Sequence, residues 1–254
     1  MAERITDSAL SRKAKPAQEE DQRVREAYAR RRLIPAARYA RTDPFNLYSS
    51  HEREAVMASF FRSRGLNSLA GIRILDVGCG RGDTLRLFME YGAQPELLTG
   101  IDLLEDRVQK ARQLTPNATV VCGSATQMPF PDSSFDLVVQ FTLFTSILHD
   151  EVKRSIAAEM ARVLSPSGRI LWYDFTYNNP SNADVRGIGK REIRALFPGF
   201  NLDGRRLTLA PPLGRRIAPV SIALYYFLSR FRPLCTHYLG LLQRPADAVP
   251  APGL

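Results

Sequence analysis

A chain of 254 residues, 44% hydrophobic and 24% charged, holds one large α/β domain with additions and is short for two independent ones. Its three cysteines, Cys79, Cys122 and Cys235, are far apart and form no C-x-x-C, which argues against a disulfide framework or a metal site and fits a reducing cytoplasm. The first residues have no apolar signal core and no apolar run reaches the length of a membrane span, so the expected location is cytoplasmic. The net charge of +9 is uneven: residues 1–43 carry 11 Lys/Arg against 7 Asp/Glu and residues 186–254 carry 11 against 3, leaving the middle slightly acidic. The basic ends serve either solubility or an anionic partner.

In chain order, residues 1–20 are polar and read as a disordered tail. Residues 21–33 are helix-compatible and basic, including Arg30-Arg31-Arg32, which is either a solvated helix face or an arm for nucleic acid or a membrane. A second helix begins near Tyr48, with Ser49 or Ser50 as its cap, and places Val56, Met57, Phe60 and Phe61 on one side. Residues 21–68 are thus a helical cover, and the main domain runs over 69–254. There, strands at 72–77, 97–102, 119–123, 135–141 and 169–175 alternate with helices at 83–91, 105–114 and 150–164, implying right-handed crossovers and a parallel sheet. A short helix at 191–197 precedes strand candidates at 204–210 and 236–243. Residues 211–233 form an insertion between those two strands.

The first strand carries the most informative stretch, Asp76-Val77-Gly78-Cys79-Gly80-Arg81-Gly82-Asp83. Strand, glycine turn and helix open a doubly wound sheet, whose ligands sit at the carboxyl ends of the strands. A dinucleotide fingerprint needs a third glycine at position 83, but Asp83 stands there. Asp76 and Asp83 flank the turn, repelling a pyrophosphate and suiting a ligand with an ammonium group and a sulfonium centre. Asp102 ends the second strand, where a carboxylate accepts hydrogen bonds from both ribose hydroxyls. This combination favours S-adenosylmethionine over NAD.

Three further segments extend the pattern: Met128–Val139 with its Pro-Phe-Pro-Asp loop, Glu159–Gly168 with its Leu-Ser-Pro-Ser-Gly turn, and Cys122-Gly123-Ser124-Ala125. Over residues 70–176 the chain resembles the class I S-adenosylmethionine-dependent methyltransferases, in their small-molecule, type 11-like branch. The resemblance implies a Rossmann-like doubly wound α/β sheet, mostly parallel with an antiparallel last strand, helices covering the cofactor, and a C-terminal helical insertion. It also implies cofactor contacts at Asp76, Gly78, Cys79, Gly80, Asp102, Leu103, Ser124, Ala125 and Gln140. The family usually has Gly-Asp-Ala facing the adenine; here the Asp position is Ser124, so that carboxylate is missing.

Methyl transfer from a sulfonium is an in-line displacement that depends mainly on alignment. A base helps when the acceptor is a hydroxyl. His149, after the fourth strand, and Asp174, ending the fifth, are the candidates; the alternative for His149 is an exposed helix start, and His237 reads as structural. Tyr177, Asn178 and Arg186 are candidates for the acceptor, with turn chemistry as the alternative for the first two. The fourth strand ends Gln140-Phe141-Thr142-Leu143 rather than in the N-P-P-Y grip of an adenine methylase, which makes a nucleic-acid partner the lesser reading. Residues 215–232, an apolar run between arginine pairs, are either a peripheral membrane contact or a lid over the pocket. The expected acceptor is a small molecule, a hydroxyl of a glycan or lipid-linked intermediate, with RNA as the alternative. Oligomeric state is not legible.

Overall fold

The computed structural model describes residues 3–33 and 35–245. Its first helix, α1, spans Glu3–Arg31, where the sequence pointed to a disordered tail up to residue 20. Residues 1 and 2 of that tail lie outside the described residues. The physical reason for the correction is a stripe at helical spacing. Ala17, Glu20, Val24, Ala27 and Tyr28 recur every three or four positions, and Glu20, Val24 and Ala27 are buried. Much of the expected solvated face is therefore a docking face.

Helix α2, Pro44–Ser63, starts nearly two turns earlier than the expected serine cap. Asp43 caps it, accepting from Asn46 N at 3.0 Å, and Pro44 occupies the first turn, where no backbone N–H is needed. Ser49 is inside the helix and bonds back to the Asn46 carbonyl.

The sheet follows: β1 Ile74–Val77, α3 Asp83–Glu90, β2 Leu98–Asp102, α4 Glu105–Leu114, β3 Thr119–Cys122, β4 Phe135–Phe141, α5 Asp150–Val163 and β5 Leu164–Phe175. Strand β5 begins five residues earlier than expected. Leu164 already pairs with Phe135 across an irregularity, so the helix runs directly into the strand. After α6 Lys190–Leu196 come β6 Asn201–Leu209, α7 Pro211–Ile217, α8 Ile222–Ser229 and β7 Cys235–Gln243. The strand order is β3-β2-β1-β4-β5-β7-β6, and β7 runs antiparallel to both of its neighbours. This is the expected Rossmann-like α/β sheet with one reversed strand.

The insertion holds two short helices, α7 and α8. Pro219 lies between them, and Ser221 caps α8 by accepting from Leu224 N at 3.2 Å. Two apolar layers sandwich the sheet. One joins Leu75, Val77, Trp172 and α5 to Val24 of α1; the other joins Ile74, Val139 and Tyr173 to Met57 of α2 and Phe88 of α3. The two N-terminal helices thus anchor on opposite faces of the sheet.

Candidate active site

The glycine turn is folded onto the end of β2 by its own amides. Gly78 N and Cys79 N both donate to the Ile101 carbonyl, at 2.8 and 3.1 Å. Gly80 N donates to Asp102 Oδ2 at 2.8 Å, and Leu104 N to Asp102 Oδ1 at 2.9 Å. Gly78, Gly80 and Gly82 have φ of 77°, 55° and 76°, the left-handed region that glycine alone enters without cost. The Cys79 side chain turns into the core against Gly100, where an added Cβ would come within 2.7 Å of its sulfur. Cys79 therefore offers a ligand only its backbone, and burial pushes its thiol far above the usual range.

Asp76 is fully buried at the end of β1, and its Oδ2 has no hydrogen-bond partner. Burial, then the nearby Asp102 carboxylate, pushes its pKa up to about 8. Burial also raises Asp102, against the pull of the Leu104 and Gly80 amides. Asp83, expected beside Asp76 at the turn, instead faces solvent in an ion pair with Arg86. The acids at the site are Asp76 and Asp102, because the first turn of α3 rotates position 83 outward.

On β4, next to β1, Gln140 is buried; its Oε1 accepts from Leu143 N at 3.1 Å while its Nε2 has no partner. Asp174 grips the same loop. Its Oδ1 accepts from Thr145 Oγ1 at 2.6 Å and from Phe175 N at 2.9 Å, and its Oδ2 accepts from Thr145 N at 3.1 Å. Burial raises Asp174 to about 7, against those donors. The gripped loop carries Leu143 to the turn, where a Cβ on Gly78 would lie 3.1 Å from Leu143 Cδ1.

Helix α1 crosses above these strand ends. Ser124 Oγ donates to Asp21 Oδ1 at 3.3 Å and lies 3.0 Å from Thr126 Oγ1. Glu20 accepts from Leu148 N at 2.5 Å, and Arg23 pairs with Glu20 at 2.7 Å while bonding the Ser146 carbonyl. Tyr28 lies between the guanidiniums of Arg31 and Arg107, at 4.5 and 4.2 Å. Leu103 and Ala125 pack, half-buried, on the layer that contains Val24. Asp76, Asp102, Leu103, Ser124, Ala125 and Gln140 are thus gathered at one end of the sheet, part of it beneath α1.

The expected acceptor residues are less available. Arg186 is held by Asp150 and by Glu192, the latter at 3.2 Å. Asn178 Oδ1 accepts from Gly187 N at 2.9 Å, which closes its loop. Tyr177 is exposed, with the Arg206 guanidinium 4.8 Å from its ring. His149 is exposed at the start of α5. His237 is buried against Tyr173 at 4.9 Å, and burial lowers it to about 3, so it is neutral.

Two groups escaped the sequence reading. Arg53 of α2 lies 5.2 Å from the Phe141 ring and 5.3 Å from that of Tyr173, with a buried Nε that has no partner. Asp21 of α1 was read only as part of a basic segment, although the spacing of Ala17, Val24 and Tyr28 carried the signal of a docked helix.

Residues 74–168 match the methyltransferase domain family. A 24-methylenesterol C-methyltransferase of rice is 30% identical over 161 residues, covering 59% of this chain and 42% of that protein. A 27-O-demethylrifamycin SV methyltransferase of Amycolatopsis mediterranei is 34% identical over 129 residues, covering 48% and 45%. The chain spans about half the length of the curated relatives it matches. A crystal structure of a SAM-dependent methyltransferase from Archaeoglobus fulgidus shares the fold at a TM-score of 0.53 and 17% identity, covering 76% of this chain and 94% of that one. With the strand order and the acid-flanked turn, these matches make residues 74–168 a methyltransferase domain on the Rossmann-like fold shared with S-adenosylmethionine-dependent methyltransferases.

The raised Asp76 pKa gives a test without cofactor. Without a bound cation the folded protein keeps a proton on Asp76 up to about pH 8, whereas the unfolded chain releases it near 3.8. Stability from this group is therefore present in acid and falls as the pH rises from about 4 through 8, by at most about 1.4 kcal/mol per pH unit. Urea denaturation at pH 5, 7 and 9 is expected to show this fall flattened in Asp76→Asn. An unchanged slope in the variant would place the titration elsewhere.

Proposed function

We propose that this protein transfers a methyl group from S-adenosylmethionine to a small, lipophilic acceptor, at a hydroxyl of a lipid-linked or glycan intermediate, by in-line displacement. The observation that carries the cofactor half is the pair of buried, unpartnered atoms on neighbouring strands, Asp76 Oδ2 and Gln140 Nε2. An orphaned acceptor and an orphaned donor on neighbouring strand ends fit the ammonium and carboxylate of an amino acid, and leaving either unpaired costs about 1–3 kcal/mol. Asp102 would receive the ribose hydroxyls, Leu103 and Ala125 would wall the base, and the amides of Gly78, Cys79 and Gly80 would lie against the ligand backbone. The bound cofactor supplies an electrophilic methyl group on sulfur. The protein's own part is alignment and exclusion of water, a contribution of about 7–11 kcal/mol when well made.

For the acceptor, the names of the relatives support lipophilic small molecules: a sterol in one case, a rifamycin in another. Helix α8 supports the same direction. It buries Tyr225 toward Glu52 and leaves Ile222, Leu224 and Phe227 exposed, with Val220 and Phe231 exposed just beyond its two ends. Exposed Arg216 and Arg230 flank this stripe. We read it as a peripheral contact with an anionic membrane through residues 215–232. No helix among the described residues is long and apolar enough to cross a bilayer. RNA methylation has less support, because Arg23, Arg30 and Arg32 of the N-terminal segment are already paired with Glu20, Asp184 and Asp106.

Of the two candidate bases, Asp174 is occupied in gripping the loop after β4 and His149 stands exposed, so this reading gives the rate to alignment. Incubation with labelled S-adenosylmethionine and fractionated lipid extracts, with mass identification of the product, tests the activity. No labelled product from any fraction would remove it. Asp174→Ala is expected to weaken S-adenosylhomocysteine binding and turnover together, and His149→Ala to leave turnover within about threefold. A drop of about 10²–10⁴-fold with affinity intact, in either variant, would make that residue the base.

The stripe has its own test. Co-sedimentation with phosphatidylglycerol vesicles is expected to fall at least about tenfold when Phe227 and Phe231 are both changed to Ser, since each buried aromatic contributes about 1.5–3 kcal/mol. Equal binding by the variant would leave the stripe without a membrane role.

A further inference from the structure

The carboxylate of Asp21 has no partner that explains its position. It is half-buried beneath α1, and burial raises its pKa above the usual carboxylate range. Among the described residues it makes no ion pair, and only its Oδ1 takes a hydrogen bond, from Ser124 Oγ. Its neighbour in sequence is accounted for: Glu20 holds Arg23 and the Leu148 amide. Arg25 attracts it through space, and its second oxygen, which stays open to solvent, is left to take a donor.

Its place in the fold says what that is. If the amino-acid end of the cofactor lies at β1 and β4 and its ribose at Asp102 of β2, the base falls one strand further out, at the end of β3. Cys122 ends β3, and Ser124 follows two residues later. There the half-buried Leu103 and Ala125 supply apolar surface, but position 124 supplies only a hydroxyl, and that hydroxyl gives its proton to Asp21. An adenine carries an exocyclic amino group, a donor that needs an acceptor when it leaves water.

We propose that Asp21, reaching down from α1, accepts the hydrogen bond of the adenine amino group and so reads the base in place of a carboxylate on the β3 loop. The inference rests on the cofactor reading above and goes further. The base-recognising group lies on the covering helix, so cofactor and cover hold each other. Asp21 acts as a specificity residue and takes no part in the chemistry.

The experiment is calorimetry with S-adenosylhomocysteine and its 6-oxo analogue, S-inosylhomocysteine, which offers a carbonyl where adenine offers the amino group. The wild type is expected to prefer the adenosyl ligand at least about tenfold, the worth of one charge-assisted hydrogen bond. Asp21→Ala is expected to lose that preference mainly by weakening the adenosyl ligand, and Ser124→Asp in the same chain to restore it. Equal weakening of both ligands by Asp21→Ala would make the residue a mere anchor of α1, and an unchanged preference would remove it from the site; either overturns the proposal. If the wild type binds neither ligand, it is the cofactor reading that fails.

Discussion

Asp102 accepts one amide from each of two loops, Gly80 from the glycine turn and Leu104 from the start of the β2–α4 connection. Those two bonds decide where the turn lies. They draw the β1 loop across the end of β2, where the Ile101 carbonyl takes two more of its amides, and they hold Asp102 still for a ligand. The backbone can follow that path because its glycines enter the left-handed region and because Gly100 leaves room for the Cys79 sulfur below. A rigid turn held by polar bonds at the edge of an apolar sheet leaves Asp76 enclosed, and enclosure is what raises its pKa.

The rest of the site is braced against that turn. Gln140 and Asp174, on adjacent strands, hold the 142–146 loop, and Leu143 from that loop meets Gly78. Helix α1 closes the other side through Glu20, Arg23 and Val24. Behind these contacts Asp76 and Gln140 are buried with polar atoms left over, the environment in which an unpaired donor or acceptor weighs most. The insertion faces the opposite way: Tyr225 ties it to α2, and its outer apolar stripe is free.

The order of strands and helices in the sheet was legible because β/α alternation in the sequence is regular and buried parallel strands are continuous apolar runs. The acids and glycines of the turn were legible because their spacing is local. Orientation was not. Asp83 sits beside the turn in sequence, yet the helical twist sends it to solvent. The cover was misread for a related reason. The charges of α1 dominate its composition, while its docking face consists of a few small or apolar residues whose partners, Ser124, Ser146 and Leu148, lie more than a hundred residues away. Asp21 and Arg53 gain meaning only from such contacts. Arg186 shows the reverse case, since an arginine read in sequence as a candidate for the acceptor is already paired with Asp150 and Glu192.

The central claim is that Asp76, whose Oδ2 has no partner, and the fixed Asp102 together select an adenosyl donor with a free ammonium group. A crystal structure grown with S-adenosylhomocysteine tests it most directly. The expected result is the ammonium against Asp76, the ribose hydroxyls on Asp102 and the base beneath α1. The same ligand in another cleft, or a diphosphate found on the glycine turn instead, would contradict it.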